Sequence, residues 1–459
     1  MIVHALNDAC PDRVIGRDHP AYDDVRLLFN GMHDLRPRLI CLPRYVAELR
    51  AVIRATRDAG LPTAVRGGGH NVAGSAAVED GLVIDLRLMS AVSVDPVART
   101  AVAGGGATWS QFDLATTAYG LATTGGTFDT TGVGGLALGG GLGHLMGKHG
   151  LTCDNVLSYE LVTAAGEVLV VDAERDPDLD WALRGAGHGL GVVSAFHFRV
   201  HPVGLLWGGC VAYPRAELGA AVRLFRDLML GAPDELNCTL LLKRYGPTQV
   251  PAAVILVAYS GGDEEYRAAL EKRLGEPEVL DWQLTFRSYL SAQAALGRLA
   301  FGLRHHWSGR FVDALPDSLA DALAERFEAA RYRDGILVEP LHGAVRRVDA
   351  ESTAVPFRGA AFNVTGTAIW TDPAADEQQV TWARSVAAAA EPHSRWGDGY
   401  VNYASTGDWA GKTTASERLT SVKRRLDPDG FFRGRVHPVS ESLPTSSAPG
   451  GRGPAGADL

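Results

Sequence analysis

The sequence predicts an α+β protein of two or more domains, and three observations carry that expectation. Strand-like and helix-like segments mix through the first two hundred residues instead of segregating into runs. Three glycine clusters, at 67–69, 104–106 and 125–143, dominate the first half of the chain. At 459 residues the chain is also too long for a single hydrophobic core.

The elements follow in chain order. Between residues 44 and 60, Val46, Leu49, Val52, Ile53 and Thr56 share one helical face, and Gly60-Leu61-Pro62 stops the helix. LPTAVR (61–66) reads as a strand running straight into RGGGH. GLVIDL (81–86) and TAVAGGG (100–106) read as two more strands, and TWSQFDLATTAYG (108–120) as a helix with a glycine stop. TGVGGLALGGGLGHL (131–145) is the richest apolar stretch but is too glycine-dense for a good helix. Residues 157–172 form a hairpin pattern around Ala165-Gly166, and 181–200 a glycine-rich loop followed by a strand. Composition shifts near His201-Pro202. Strand-like and helix-like segments then alternate to about Pro392, YVNYAS (400–405) is loop-like, and SERLTSVKRRLDPDGFF (416–432) is a helix ending before Pro428. The Ser/Pro/Gly-rich tail at 440–459 is expected to be disordered.

Composition excludes several classes of function. A formal net charge of -9 with no basic stripe argues against nucleic-acid binding. The start of the chain lacks the pattern of a signal peptide, and no uncharged stretch approaches a membrane span. Five scattered cysteines, Cys10, Cys41, Cys153, Cys210 and Cys238, suit a reducing compartment, so a cytoplasmic enzyme is expected.

RGGGHNVAG (66–74) fits neither common phosphate motif. No Lys-Ser/Thr pair follows it, as a P-loop requires, and Asn71-Val72-Ala73-Gly74 is a poor helix start for a dinucleotide fold. Glycine allows positive φ and close approach of a ligand. Three clusters together suit a large ligand laid along bare main-chain N–H groups, and a diphosphate fits such amide nests. Tight turns and bulges in a crowded sheet are the other reading of any single cluster.

RGGGHNVAG (66–74), GLVIDLRLMSAVSVD (81–95), TGVGGLALGGGLGHLMGKHGLTCDN (131–155) and WALRG…GVV (181–193) resemble the FAD-linked oxidases of the vanillyl-alcohol oxidase / p-cresol methylhydroxylase superfamily. LHGAVRRVDAESTAVPFR (341–358) and YVNYAS…RLTSVKRRLDPDGFF (400–432) continue the resemblance, which is strongest to the berberine-bridge-enzyme-like and 6-hydroxynicotine-oxidase-like group. It implies a two-part FAD-binding domain at 1–202, a substrate domain with an antiparallel sheet backed by helices at 203–394, and a return to the FAD domain at 395–439. It also implies that Gly67, Gly68 and Gly69 wrap the FAD diphosphate and that His70 is bonded to the flavin 8α-methyl carbon. Further cofactor contacts implied are Arg66, Asn71, Gly74, Gly126, Thr127, Thr131, Gly132, Gly135, Gly141, Gly143, Cys153, Asn155, Val192, Val193, Tyr400 and Asn402. The family's second attachment point falls at Gly132, so one covalent bond is expected, with Cys153 a small buried residue near the ring.

The activity implied is oxidation of a hydroxyl- or amine-bearing carbon of a small molecule, a secondary metabolite or sugar, by hydride transfer to flavin with O2 as acceptor. A flavin dehydrogenase or oxygenase, or a flavin-binding protein without turnover, are the alternatives. By resemblance Tyr403 is the base. Its phenol, near pKa 10 when unperturbed, would need a nearby cation or donor to act at neutral pH. Alternation on the strand at 358–370 places Asn363, Thr365 and Thr367 on one face, toward substrate. Berberine-bridge enzymes carry a catalytic glutamate near the Asn363 position, and its absence argues against their ring-closing chemistry. Period-two spacing groups His306, Ser308 and Arg310, while the His305-His306 pair lacks a third ligand and predicts no metal. WALRGAGHGLGVV departs from the usual WA-x-RGGGGNFGVV by His188 and Gly189. The oligomeric state stays open.

Overall fold

The computed structural model describes residues 2–433 apart from 296, 298, 398 and 406–416. The tail at 440–459 therefore lies outside the described residues. Four β-sheets carry the fold. The first half of the chain builds three of them, two large and one a short two-stranded ladder. A four-stranded sheet takes the order Val14–Gly16, Leu39–Cys41, Leu82–Asp85, Thr63–Arg66, with the last three parallel. The helix Val46–Asp58 packs Leu49, Val52 and Ile53 onto it, the apolar face read from the sequence. An antiparallel five-stranded sheet follows in the order Val92–Asp95, Thr100–Gly104, Val192–Arg199, Val156–Val162, Val168–Val171. Its last two strands are the 157–172 hairpin, with Gly166 at positive φ in the turn.

The apolar stretch at 131–145 differs from expectation. Val133–Leu138 is a helix of six residues despite its two glycines. Packing overrides propensity here. Val133, Leu136 and Ala137 are core residues, and a side chain at Gly134 would press on the Phe196 ring.

Residues 206–370 supply a seven-stranded antiparallel sheet. Its order is Asp281–Arg287, Leu206–Pro214, Val250–Tyr259, Leu236–Tyr245, Gly335–Pro340, Phe362–Trp370, Arg304–Val312. Helices Leu218–Met229, Asp317–Glu328 and Asp376–Ala390 cover one face and form the largest apolar core with it. The other face is turned toward the first half of the chain. A two-residue ladder joins His201–Pro202 to Leu121–Ala122.

After the helix at 376–390 the chain comes back. The Tyr400 hydroxyl accepts the Gly141 N–H at 2.8 Å, and Asn402 Nδ2 donates to the Leu136 carbonyl at 3.1 Å. Helix Glu417–Leu426 packs Leu419, Val422 and Leu426 into the core of the five-stranded sheet, and Phe432 bridges to Thr63. No helix among the described residues is long and apolar enough to cross a membrane.

Candidate functional site

The glycine loop and the open sheet face enclose a cavity of about 900 Å3, counting its mouth. One wall is main chain. Gly67, Gly68, Gly69, His70 and Asn71 follow the strand Thr63–Arg66, and Gly126, Thr127, Thr131, Gly132 and Gly135 face them. The other wall is side chain, made of Trp307, Asn402 and Tyr403. A second cavity of about 670 Å3 adjoins, lined by Gly105, Gly191, Val193 and Phe196 among others. The two share Val65, Gly67, Ser75, Gly135 and His188, so together they make one elongated trench.

The glycines serve two different ends. A side chain at Gly68 would collide with the backbone nitrogen of Gly132, and one at Gly132 with that of Gly68. These two are bare because their own backbones touch. Gly69 sits at φ +70°, where non-glycine residues are strained. Gly135 instead opens onto space, with nothing within 4 Å of where a side chain would begin. There the bare backbone borders open space.

His70 lies in an aromatic stack. Phe29 stands between its ring and that of His305, with centroids 4.5 and 4.3 Å away, and Phe301 meets His70 edge-on at 5.1 Å. Burial pushes the His70 imidazole down to about 4, partly offset by Asp129, so the ring is neutral at physiological pH. Its Nε2 lies 2.9 Å from Thr130 Oγ1. When Nε2 donates there, Nδ1 carries the lone pair.

The sheet wall supplies a residue that the sequence reading missed. Tyr403 donates its hydroxyl to Glu339 Oε1 at 3.1 Å, and Asn363 Nδ2 donates to Glu339 Oε2 at 2.9 Å. Thr365 Oγ1 donates to Asn363 Oδ1 at 3.3 Å. Register explains the cluster, because Glu339 pairs directly with Asn363 across neighbouring strands. Burial raises the Glu339 carboxyl to about 7, even though the Asn363 and Tyr403 donors pull it down. The same burial, with Glu339 adding to it, holds the Tyr403 phenol well above its ordinary value.

Two expectations change accordingly. The partner of Tyr403 is a carboxylate, not a cation, so the phenol is not activated by a lowered pKa. A glutamate does stand directly opposite Asn363, one strand over, and accepts a hydrogen bond from its amide, so the 358–370 strand need not itself carry a carboxylate. The grouping of His306, Ser308 and Arg310 also falls on the other side of the sheet. Strand Arg304–Val312 pairs His306 with Ala368 and Arg310 with Val364, both in the helix-side core. His305 and Trp307 take the site side, and both His305 nitrogens and Trp307 Nε1 lack a hydrogen-bond partner among the described residues. Glu339 had one visible signal, a lone charge in the apolar run GILVEP, since a buried charge is costly without a purpose. Phe29 had none.

Several expected cofactor residues line neither cavity. Arg66 is buried and braces the carbonyls of Val25 and Arg26, the latter at 3.1 Å. Gly74 packs against the His33 ring at φ +72°. Gly143 abuts the Gly125 carbonyl, and Gly141 is held by Tyr400, itself fully buried behind the wall. Cys153 is buried, its thiol pushed up by desolvation, and its carbonyl accepts Arg184 Nη1 at 2.7 Å. Asn155 donates to the His149 and Leu151 carbonyls and meets His201, while Val192 lies in the sheet core. Among the described residues no group of three or more His, Cys, Asp or Glu is arranged to hold a metal ion.

The trench suits a long, planar-ended group. The glycine loop lines it with backbone, Trp307 brings an unpartnered Nε1 to the first cavity, and the neutral His70 imidazole borders that cavity. Such a trench, with the hydrogen-bonded Tyr403–Glu339 pair at one wall, is consistent with a flavin-binding protein. A family model described as "FAD binding domain" matches residues 37–172. The (R)-6-hydroxynicotine oxidase of Paenarthrobacter nicotinovorans is 29% identical over 444 residues, 92% of this chain and 95% of that one. The solved 6-hydroxy-D-nicotine oxidase of Arthrobacter nicotinovorans superposes with a TM-score of 0.84 at 27% identity, covering 93% of this chain and 98% of that one. A BBE-like protein of Physcomitrella patens shares the fold, with a TM-score of 0.86 at 22% identity over 95% and 98% of the two chains. The chain is therefore an FAD-linked oxidoreductase that has the vanillyl-alcohol oxidase / p-cresol methylhydroxylase fold and is similar over most of its length to 6-hydroxynicotine oxidase and the BBE-like proteins.

Proposed function

We propose that this oxidoreductase oxidises a hydroxyl- or amine-bearing carbon of a small molecule, with FAD joined covalently to His70 and O2 as the final electron acceptor. Bound FAD would supply a two-electron acceptor for hydride. His70, neutral and with one lone-pair nitrogen, is a competent nucleophile for the flavin methyl carbon. Gly135 and the loop Gly67–Gly69 would hold the diphosphate through main-chain N–H groups.

The observation that carries the reading is the Tyr403–Glu339 hydrogen bond at the cavity wall. As hydride leaves the substrate carbon, the O–H or N–H proton passes to the Tyr403 oxygen, and the phenolic proton passes to Glu339. Glu339 makes this possible near neutral pH because burial has raised its basicity to about 7. Asn363 and Thr365 fix the carboxylate so that Oε1 faces the tyrosine. Trp307, edge-on to Tyr403 at 5.3 Å, closes the wall against water and presents an unused N–H to a substrate oxygen.

The nature of the substrate, a secondary metabolite or sugar, is inferred from the family resemblance alone. Free thiols on all five cysteines suit work in the cytoplasm. A peroxide-coupled screen of hydroxyl- and amine-bearing small molecules tests the proposal. One peroxide formed per substrate consumed is expected. Substrate turnover with a dye acceptor but no peroxide would instead make the protein a dehydrogenase.

A further inference from the structure

His188 replaces a glycine of the family motif, and the structure places it where the two cavities meet. Its Nε2 lies 2.9 Å from the Gly135 carbonyl oxygen. A carbonyl only accepts, so Nε2 carries the hydrogen, and Nδ1 holds the lone pair in the neutral ring. Among the described residues no lysine or arginine lines either cavity. Among the described residues a diphosphate in this trench would therefore meet amide dipoles, with an imidazole as the side chain able to supply a positive charge.

We propose that His188 contacts the diphosphate region of bound FAD and takes up a proton when the cofactor binds. The inference rests on the reading of the trench as an FAD site, and not on the covalent bond or the oxidase activity. Without the cofactor, burial holds the His188 imidazole below its ordinary value, partly offset by the Gly135 carbonyl, so the ring is neutral. Two phosphate charges against Nδ1 reverse that preference. The charged groups nearby are already paired. Lys423 donates to the Gly189 carbonyl and to Asp427, at 2.5 and 2.7 Å. Arg184 is bound by Asp180 and the Cys153 carbonyl. The remaining titratable groups among the described lining residues are His70 and Tyr403, which line the first cavity and not the second. The sign follows from linkage: binding that takes up a proton strengthens as pH falls.

The test uses a His70→Ala background, which removes the other imidazole and leaves the flavin exchangeable. FAD affinity is measured by flavin fluorescence quenching from pH 6 to pH 8, and proton uptake by titration calorimetry in buffers of different ionisation enthalpy. In the His70→Ala protein the dissociation constant should rise by up to about tenfold per pH unit, with about one proton taken up per FAD. His188→Gly, the family residue, and His188→Gln, which keeps a donor for Gly135, should both bind FAD more weakly at pH 6 and lose the pH slope. Riboflavin, which has no phosphate, should bind all three proteins alike. An unchanged slope in the His188 variants, or no proton uptake in the parent, overturns the proposal. Failure of all three to bind any FAD would instead overturn the flavin reading beneath it.

Discussion

The two walls of the cavity are built on opposite principles. The glycine wall, 67–71 with 126–135, holds its ligand by backbone, and its residues are close together in sequence. The sheet wall, Trp307 and Tyr403 backed by His305, Glu339, Asn363 and Thr365, works through side chains drawn from three strands and a returning loop. A backbone site tolerates little substitution where, as at Gly68 and Gly132, two bare backbones touch each other. A side-chain site can trade residues between strands and keep its chemistry. The carboxylate here does that, standing on 335–340 opposite the Asn363 position instead of at it.

This contrast can be broken most sharply at Gly68. A methyl there meets the backbone of Gly132, which cannot move without shifting the whole loop. Gly68→Ala should cost about 4 kcal/mol or more, at the extreme of single substitutions. Thermal unfolding with and without FAD checks it, and an unchanged Tm would show that the two loops are not in contact.

On the sheet wall, Glu339→Gln should fold and bind flavin but lower kcat by about 10²–10⁴-fold, the range for loss of a general base. In the parent, kcat/KM should rise with pH through about 7, since the ionised carboxylate is the active form. Glu339→Gln should lose that limb, and so should Tyr403→Phe, because the proton must pass through both. A profile that keeps its rise in either variant would remove the pair from the proton path.

The smallest effect is expected behind the walls. Tyr400→Phe deletes the acceptor for the Gly141 N–H and should cost about 1–3 kcal/mol for a buried donor left unpaired. Its kcat should stay within a few-fold of the parent. A kcat as low as that of Tyr403→Phe would mean that Tyr400, and not its neighbour, handles the proton.

The same contrast explains what the sequence disclosed. The glycine loop, His70 and the strand–helix order around them were legible because their partners lie within a few residues or within a spaced motif. Asn363 and Thr365 were legible from period-two alternation on one strand. The sheet wall as a whole was not, because which residue faces which depends on register between strands far apart in the chain. His305 and Trp307 sit on the opposite parity from the one that spacing suggested, and only pairing with Ile369 and Thr367 decides it. Glu339 and Asn363 are 24 residues apart, yet touch. Arg66, Gly74 and Gly143 show the converse error. They lie inside or beside glycine motifs but are fixed by packing against Val25, His33 and Gly125, which no local pattern reveals.

The most direct measurement is mass mapping of proteolytic peptides after acid precipitation of the purified protein. The peptide containing His70 should carry the added mass of FAD, the pellet should stay yellow, and His70→Ala should release all of its colour while Cys153→Ala keeps it. An unmodified His70 peptide with colour in the supernatant, or the added mass found on the Cys153 peptide, would contradict the placement of the flavin against this imidazole.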